Sequence, residues 1–433
     1  MSYCNLWHFG RKTSRLRVRL SKYSSVGHCL QQPSPPFASA GVAMPSLDVQ
    51  SSIDPVHVAS VKHEAEFAAL KIPWNTLANQ SAVASVFLTH EWFSAAWAWR
   101  RLDSSLEVLL LSRSGTPTAI LPLIRTRAKK GRARYLELLT VPDTQSCDMI
   151  VSSSTAHELG AALATALAGR KDWDVLKLGY LTPAGEVAQQ LVPALSRLGC
   201  HVSMEDGGRN LFVPLNDRWE VYYSSRSRRL KKANNLASNR LHNAGAVRID
   251  HLEPRSTSVE ELNHALDAII GISRCSWKKT TGNSLDQPGP QAFIRTLSAA
   301  ARENGWLSMW LARVDGKPVA MEYQLIDRGN VHALRADFDA SCTHVSPGAF
   351  LFRQIMEQLF GNGLRRYYMG PGENAYKQHW ADEGEPLLRI FVYNRTCRGQ
   401  ITWLGNAIAK PLMRAIRDRL FAGTERRSGV ISQ

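Results

Sequence analysis

Two distant stretches of this 433-residue chain share one order of structural elements. A leucine-rich stretch leads into Gly115-Thr116-Pro117-Thr118-Ala119, and a second leads into Gly316-Lys317-Pro318-Val319-Ala320. Each pentapeptide is typical of a hairpin tip, and each is followed by a strand pattern, a helix pattern and one more strand pattern. The sequence therefore predicts an α/β (α+β) protein with two tandem copies of one unit. Each copy is expected to be a mixed, mostly antiparallel sheet flanked by helices.

The predicted organisation has four segments. Residues 1–45 form a basic leader, 46–215 the first unit, 216–396 the second unit, and 397–433 a basic C-terminal helix and tail. Residues 1–43 contain six Lys and Arg and no acidic residue. They are either an organellar transit-like leader or a disordered extension ahead of a start at Met44, and we favour the extension.

The net charge of +16 favours an anionic partner without choosing among phosphate, coenzyme, glycan or RNA. Zinc-finger, helix-turn-helix and RNP motifs are absent, which argues against a dedicated nucleic-acid reader. No apolar run approaches the roughly 18 residues of a membrane span. The seven cysteines form no CxxC pair and no metal-ligand spacing. The expectation is a cytoplasmic protein with reduced thiols and no metal site.

The string SPGAFLF opens a strong helix pattern. Ser346 suits the N-cap position and Pro347 suits the first turn. The free N–H groups of Gly348, Ala349 and Phe350 would then point out of the helix start, where orphan donors and the helix dipole favour an anion. A plain capped helix accounts for the same residues.

The string GPGENAYKQHW follows the last strand pattern of the second unit. Glu373 and Lys377 are four residues apart, which on a helix predicts an ion pair. The alternative is the edge of a functional site. Glu373 would then be a base or a substrate-orienting carboxylate and Tyr376 a proton donor, with the Lys377 ammonium within the same five residues.

Two acidic patterns lie on neighbouring strands. Asp337 and Asp339 alternate with Phe338 and share a strand face with Arg335. They predict either an Arg–Asp cross-link or carboxylates that receive a substrate amine. Glu322 stands among apolar residues and is likewise either paired or functional.

The string RSRRLKK gives the densest positive charge, within a predicted single helix over 219–245. Arg226, Arg229 and Lys232 are three apart and would lie near one face. They form either a solvated surface or a clamp for an anionic acceptor. Trp277 would line the same groove.

Several strings occur in the order that CelD-type acetyltransferases show, among them FLTHEWFSAAWAW, SRSRRLKKANNLASNRL, RCSWKK, the SPG string and GPGENAYKQHW. Over about residues 60–395 the chain resembles this tandem-GNAT group, which is related to the Fem-type peptidyltransferases. The resemblance implies that the SPG helix cradles the pyrophosphate of acyl-coenzyme A, in the second unit. One departure is clear. The usual loop Q/R-x-x-G-x-G/A is replaced by residues 343–348, Thr-His-Val-Ser-Pro-Gly, with a single glycine.

The resemblance implies transfer of an acyl group, expected to be acetyl, from acyl-CoA to an amine or hydroxyl. The transfer would be direct, without a metal or a covalent enzyme intermediate. Asp337 joins Glu373, Tyr376 and Lys377 as a candidate catalytic residue. The acceptor would be a small molecule, anionic or glycan-linked, from exopolysaccharide or cell-envelope synthesis. Two alternatives remain open: a Fem-like transferase that uses aminoacyl-tRNA, and a non-catalytic module that binds an anion or glycan.

Overall fold

The structure is a computed structural model that describes residues 55–81, 83–127, 132–152 and 154–406. These residues belong to one compact unit, Ile53–Gln433. The predicted leader and most of the predicted C-terminal tail lie outside the described residues. No described helix combines the length and apolar character that a bilayer crossing requires.

The described residues contain fifteen strands and twelve α-helices. The strands are β1 His57–Val61, β2 Ser104–Leu106, β3 Val108–Arg113, β4 Thr116–Leu121, β5 Leu123–Thr126, β6 Tyr135–Leu138, β7 Ile150–Val151, β8 Val175–Leu181, β9 His201–Pro214, β10 Val247–Leu252, β11 Leu307–Val314, β12 Lys317–Asp327, β13 Asn330–Phe338, β14 Arg366–Pro371 and β15 Glu383–Tyr393. The helices are α1 Glu64–Ala69, α2 Lys71–Gln80, α3 His90–Arg100, α4 Ala156–Gly169, α5 Val192–Arg197, α6 Trp219–Ser225, α7 Arg228–Ala244, α8 Val259–Arg274, α9 Pro288–Glu303, α10 Pro347–Leu359, α11 Ala375–Trp380 and α12 Cys397–Leu404.

The repeat predicted from the two pentapeptides is confirmed. In the first half, β3 and β4 form an antiparallel hairpin, and β6 pairs in parallel with β8 across helix α4. In the second half, β11 and β12 form the hairpin, and β13 pairs in parallel with β14 across helix α10. All other strand pairs among the described residues are antiparallel. The fold class is therefore the one expected, with helices on mixed, mostly antiparallel sheets.

The two halves exchange their last strands. An eleven-stranded sheet has the order β10-β11-β12-β13-β14-β9-β15-β8-β6-β5-β2, and a four-stranded sheet has the order β1-β3-β4-β7. Strand β9 belongs to the first half by sequence but pairs with β14 of the second. Strand β15 comes last in the second half but pairs with β8 of the first. The two exchanged strands also pair with each other, which joins both halves into one sheet.

The single helix predicted over 219–245 is wrong, because the chain breaks between α6 and α7. Arg226 and Ser227 leave the helical conformation, with ψ angles of 154° and 146°. The Ser227 hydroxyl then accepts a hydrogen bond from the Leu230 amide at 3.2 Å and caps α7. Helix α3 begins after Thr89, whose hydroxyl accepts from the Trp92 amide at 3.3 Å.

Strand β12 separates two environments in the second half. Met321, Tyr323 and Leu325 face the main core, which they share with α8, α9 and the first half. The alternate residues Glu322 and Gln324 face the side covered by α10. Because side chains alternate along a strand, this buried carboxyl is placed next to α10 by register alone.

Candidate functional site

Strands β13 and β14 pair over only three residues and then separate. The parallel ladder ends at His332 and Tyr368. Beyond that point β13 continues to Phe338, whereas β14 turns at Gly370, whose φ is +80°. The side-chain amide of Gln145 enters the gap, because its Nε2 donates to the Ala333 carbonyl at 2.9 Å. The sheet therefore opens between β13 and β14 beyond His332, and Gln145 occupies the start of this opening.

Lys377 lies at the opening. Its ammonium donates to the Gly370 carbonyl at 2.7 Å and to the Pro371 carbonyl at 3.0 Å. Burial, followed by the nearby charge of Lys278, lowers the pKa of Lys377 to about 8. A lysine carries three N–H donors, and the third has no acceptor among the described residues. The ion pair predicted between Lys377 and Glu373 is wrong, because α11 begins only at Ala375, after Glu373, and the ammonium turns to the backbone instead.

A second cation reaches the same strand. The Lys278 ammonium lies 2.9 Å from the Asp337 carboxylate and donates to the Ala336 carbonyl at 3.0 Å. Asp337 is buried and also accepts from the Ser273 hydroxyl at 3.0 Å. Asp337 therefore holds Lys278 in place rather than standing exposed as a base.

Helix α10 begins after β13 with fewer free donors than predicted. The Phe350 amide donates to the Ser346 carbonyl at 3.2 Å, and Pro347 has no N–H, so the half-buried Gly348 and Ala349 retain the free amides. Ser346 occupies the predicted N-cap position, and Pro347 lies in the first turn as expected. Ser346 is in a left-handed conformation, φ 55°, and its hydroxyl makes no capping hydrogen bond.

Beneath α10 a buried carboxyl carries a hydrogen-bond network. The Tyr367 hydroxyl and the Gln324 side-chain amide, the latter at 2.7 Å, both donate to Glu322. The network continues from Gln324 through Ser308 to His251 on β10. Burial raises the pKa of Glu322 to about 7, despite the opposing effect of the two hydrogen bonds. Of the two alternatives predicted for Glu322, the structure thus shows the paired one, with Tyr367 and Gln324 as its hydrogen-bond partners.

Glu373 and Tyr376 point in different directions from Lys377. Glu373 is exposed, and its carboxylate accepts from Gln378 at 3.4 Å. The Tyr376 ring packs on Phe352 at 5.6 Å between centroids. Although 43% of Tyr376 is exposed, desolvation of the phenol, followed by the Glu322 and Tyr222 groups, raises its pKa well above its ordinary value. The phenol is therefore protonated at neutral pH.

The Arg–Asp cross-link predicted within residues 335–339 is also wrong. Arg335 is 2% exposed and pairs with Asp143 of the first half at 2.7 Å. It further donates to Asn283 and lies over the Trp99 ring. Asp339 instead accepts from the Ser341 amide at 3.0 Å and pairs with Lys317 at 3.3 Å. Arg335 therefore links the two halves of the protein.

The predicted basic clamp is split by the break before α7. Arg226 precedes the break and donates to the Trp380 carbonyl at 3.1 Å and to Asp382 at 2.7 Å. Arg229 and Lys232 lie exposed on α7. Trp277 is 52% exposed, beside the Lys278 ammonium. The three predicted cations therefore do not share one helix face.

Four residues of the opening were not predicted from the sequence: Gln145, Asn210, His332 and Tyr368. They line a cavity of about 230 Å³, whose lining does not include Lys377. The polar string DTQSCD around Gln145 is the only local signal. His332 and Tyr368 meet through the pairing of β13 with β14, and Asn210 joins them because β9 enters the second half of the sheet.

Residues 228–378 match the family model for the acetyltransferase (GNAT) domain. The crystal structure of FemX is similar, with a TM-score of 0.50 at 11% identity, over 76% of this chain and 96% of that chain. No curated protein sequence matches the chain.

Two further solved structures are similar at lower TM-scores. The C-terminal domain of a putative lysylphosphatidylglycerol synthetase from Agrobacterium fabrum gives 0.47 at 14% identity, over 78% of this chain and 97% of that chain. A tandem GNAT protein from the clavulanic acid biosynthesis pathway gives 0.42 at 11% identity, over 78% of this chain and 98% of that chain. The family model therefore assigns a GNAT acetyltransferase domain to residues 228–378, the part of the chain that contains β13, α10 and Lys377.

Proposed function

We propose that this protein is an acyltransferase that moves an acyl group, expected to be acetyl, from acyl-CoA to an amine or hydroxyl of a small acceptor. The observation that carries the proposal is the separation of β13 from β14 at the Lys377 ammonium. The match of residues 228–378 to the GNAT domain supports it, because that range includes both strands and the lysine.

The donor site runs along β13. At one end, the free amides of Gly348 and Ala349 at the start of α10 suit a phosphate group. At the other end, Ala333 and Lys377 border the opening. Ala333 and Phe338 are five residues apart, which at about 3.3 Å per residue is roughly 16 Å of strand. These residues fit an extended donor with an anionic end and a distant reactive end, as acyl-CoA has. When bound, the thioester would supply an activated acyl carbon and a thiolate leaving group.

Lys377 would stabilise the negative charge that develops on the thioester oxygen. Two of its N–H groups are held by the Gly370 and Pro371 carbonyls, so the third is oriented in advance. The acceptor nitrogen or oxygen forms a bond to the acyl carbon, and the carbon–sulfur bond breaks. The acceptor loses one proton, and the departing thiolate takes up one.

Glu373 and Tyr376 remain our candidates for the two proton transfers. Glu373 is an exposed carboxylate that can take the acceptor proton. The Tyr376 phenol is protonated at neutral pH and can supply the thiolate proton. The acceptor class implied by the CelD-type strings, a glycan or envelope precursor, belongs to the same proposal.

The aminoacyl-tRNA alternative is favoured by the entry to α10. Ser346 and Pro347 leave two free amides where the usual glycine-rich loop offers more, which weakens the binding of a pyrophosphate. A Fem-like donor would not need pyrophosphate binding at this helix. The identity of the donor distinguishes the two functions, since RNase treatment abolishes only transfer from aminoacyl-tRNA.

The test is calorimetric binding of acetyl-CoA to the full chain, followed by thiol release with a panel of amine and hydroxyl acceptors. We expect Lys377→Met to lower kcat about 10²–10³-fold, as loss of an oxyanion donor does. The control Lys171→Met removes an exposed lysine and should leave kcat unchanged. Failure to bind acetyl-CoA or a longer acyl-CoA would overturn the proposal.

The pH dependence of kcat tests the role of the Lys377 ammonium independently. Since the protonated ammonium is the donor and its pKa is about 8, kcat should fall as the pH rises above about 8. Lys377→Arg keeps the charge at all accessible pH values. Its residual activity should therefore lack this alkaline decline, and an unchanged decline would assign it to another group.

A further inference from the structure

The cavity beside Gln145 contains a polar atom with no partner. Asn210 lines the cavity and is 5% exposed, yet no described residue donates a hydrogen bond to its Oδ1. Buried acceptors in folded proteins are almost always paired, and an unpaired one at a cavity indicates a missing ligand or water. Asn210 also lies where the pairing of β9 with β14 becomes irregular. Such irregularities often re-aim a side chain at a site.

The orientation of the surrounding amides can be assigned from one backbone contact. Gln145 Nε2 donates to the Ala333 carbonyl, so Gln145 Oε1 is the acceptor. It faces Asn210 Nδ2 at 3.4 Å and His332 Nδ1 at 3.1 Å, and both must therefore donate. Asn210 Oδ1 and His332 Nε2 are left as acceptors. The network thus presents two acceptors, Asn210 Oδ1 and His332 Nε2, beside the second N–H of the Asn210 amide.

The charges around the cavity also favour a ligand that donates hydrogen bonds. Asp148, Asp327 and Glu385 contribute carboxylates to its lining, which contains no lysine or arginine. Glu385 pairs with Arg366 at 3.0 Å and Asp327 lies 3.8 Å from Arg328, so Asp148 is the carboxylate of the lining without an arginine partner among the described residues. Asp148 is held by the Glu186 and Val187 amides. This acidic wall is notable in a chain of net charge +16. It disfavours phosphate and carboxylate, which the basic surfaces elsewhere on the protein would attract.

We propose that this cavity binds a small ligand rich in hydrogen-bond donors, an amine-bearing polyol of about one sugar ring. At about 30 Å³ per water, the volume of about 230 Å³ equals roughly eight water molecules. Phe87, Leu88 and Leu387 supply the apolar part of the lining.

The position of the cavity connects it with acyl transfer. A Cβ atom on Gly370 would lie 3.8 Å from both Gln145 Nε2 and Lys377 Nζ. Gln145 lines the cavity and also contacts β13 at the opening, so the two are adjacent. On this geometry, and resting on the proposed function, the ligand of the cavity is the acyl acceptor.

The test uses calorimetry on the full chain with three probes of similar size: glucosamine at slightly acidic pH, glucose and glucuronate. We expect glucosamine to bind most tightly, glucose more weakly and glucuronate not at all. Asn210→Leu removes the unpaired acceptor and should weaken glucosamine binding about tenfold, the effect of one hydrogen bond. Asn235→Leu, an exposed asparagine on α7, is the matched control.

A second variant protects the test against misfolding. His332→Phe removes the Nε2 acceptor but keeps a ring against Tyr368, on which His332 stacks. It should weaken glucosamine about tenfold as well. Equal binding of glucuronate and glucosamine, no binding of glucosamine, or unchanged affinity in both variants would overturn the proposal.

Acetyl-CoA titrated into the same samples separates this proposal from the proposed function. If acetyl-CoA binds and glucosamine does not, the cavity assignment fails while the donor site stands. If glucosamine binds with the expected dependence on Asn210 and acetyl-CoA does not, the amine site stands and acyl transfer fails.

Discussion

Glu322 shows how a single buried carboxyl couples stability to pH. Its ordinary pKa is 4.5, and burial raises the value to about 7 in the folded protein. The folded state therefore retains a proton that the unfolded state releases. The resulting stability is complete below pH 4.5 and is lost as the pH rises through 7. A shift of this size corresponds to about 3 kcal/mol.

We therefore expect Glu322→Gln to flatten the pH dependence of stability. Between pH 5 and 8 the wild-type protein should lose about 2–3 kcal/mol more than the variant, because glutamine does not titrate. Urea unfolding at both pH values measures the difference. Glu303→Gln, at an exposed position, should follow the wild type. Parallel curves for the wild type and Glu322→Gln would contradict the raised pKa.

At the same scale, local sequence predicted Lys377 but not its partners. The spacing of Glu373 and Lys377 indicated an ion pair, because helical spacing was assumed from Glu373 onwards. The chain reaches α11 one residue after Asn374, whose side chain caps the helix, so Glu373 stays outside it. Gln145 and His332 could not be predicted, since they meet across 187 residues of sequence through tertiary contacts alone.

Helices α7 and α10 each have a serine at the N-cap position. Ser227 caps α7 through its hydroxyl, whereas Ser346 occupies the cap of α10 without a side-chain hydrogen bond. We expect Ser227→Ala to cost about 1 kcal/mol of unfolding free energy. Ser346→Ala should change it by less than about 0.5 kcal/mol. Urea denaturation of the two variants measures both, and equal losses would show that the cap hydrogen bond does not matter.

Element prediction succeeded where the local pattern was strong. The hairpin tips at Gly115 and Gly316 and the apolar stripe of α10 gave the order of strands and helices in both halves. Strand β9 was not predicted, because its sequence is polar and contains two glycines, which disfavour a strand. A tertiary contact requires glycine at position 207, since a Cβ there would lie 2.8 Å from the Leu387 carbonyl of β15. That requirement has no local sequence signal.

At the scale of the whole molecule, strand exchange makes the two halves interdependent. The predicted boundary between residues 215 and 216 stays a prediction, but a cut there separates β9 from β14 and β15 from β8. The buried pair of Arg335 with Asp143 crosses the same boundary. A repeat in the sequence therefore does not imply two units that fold alone, and pairing between the halves could not be derived from either copy.

We accordingly expect fragments 44–215 and 216–433 to fold only together. Each fragment alone leaves strand edges unpaired, and exposed edges lead to aggregation. Co-expression should give a soluble 1:1 complex that elutes with the intact chain in size-exclusion chromatography. The separate fragments should be insoluble or lack a cooperative thermal transition. A monomeric fragment that unfolds cooperatively on its own would show that the exchanged strand is dispensable, and that each half has a complete core without its partner.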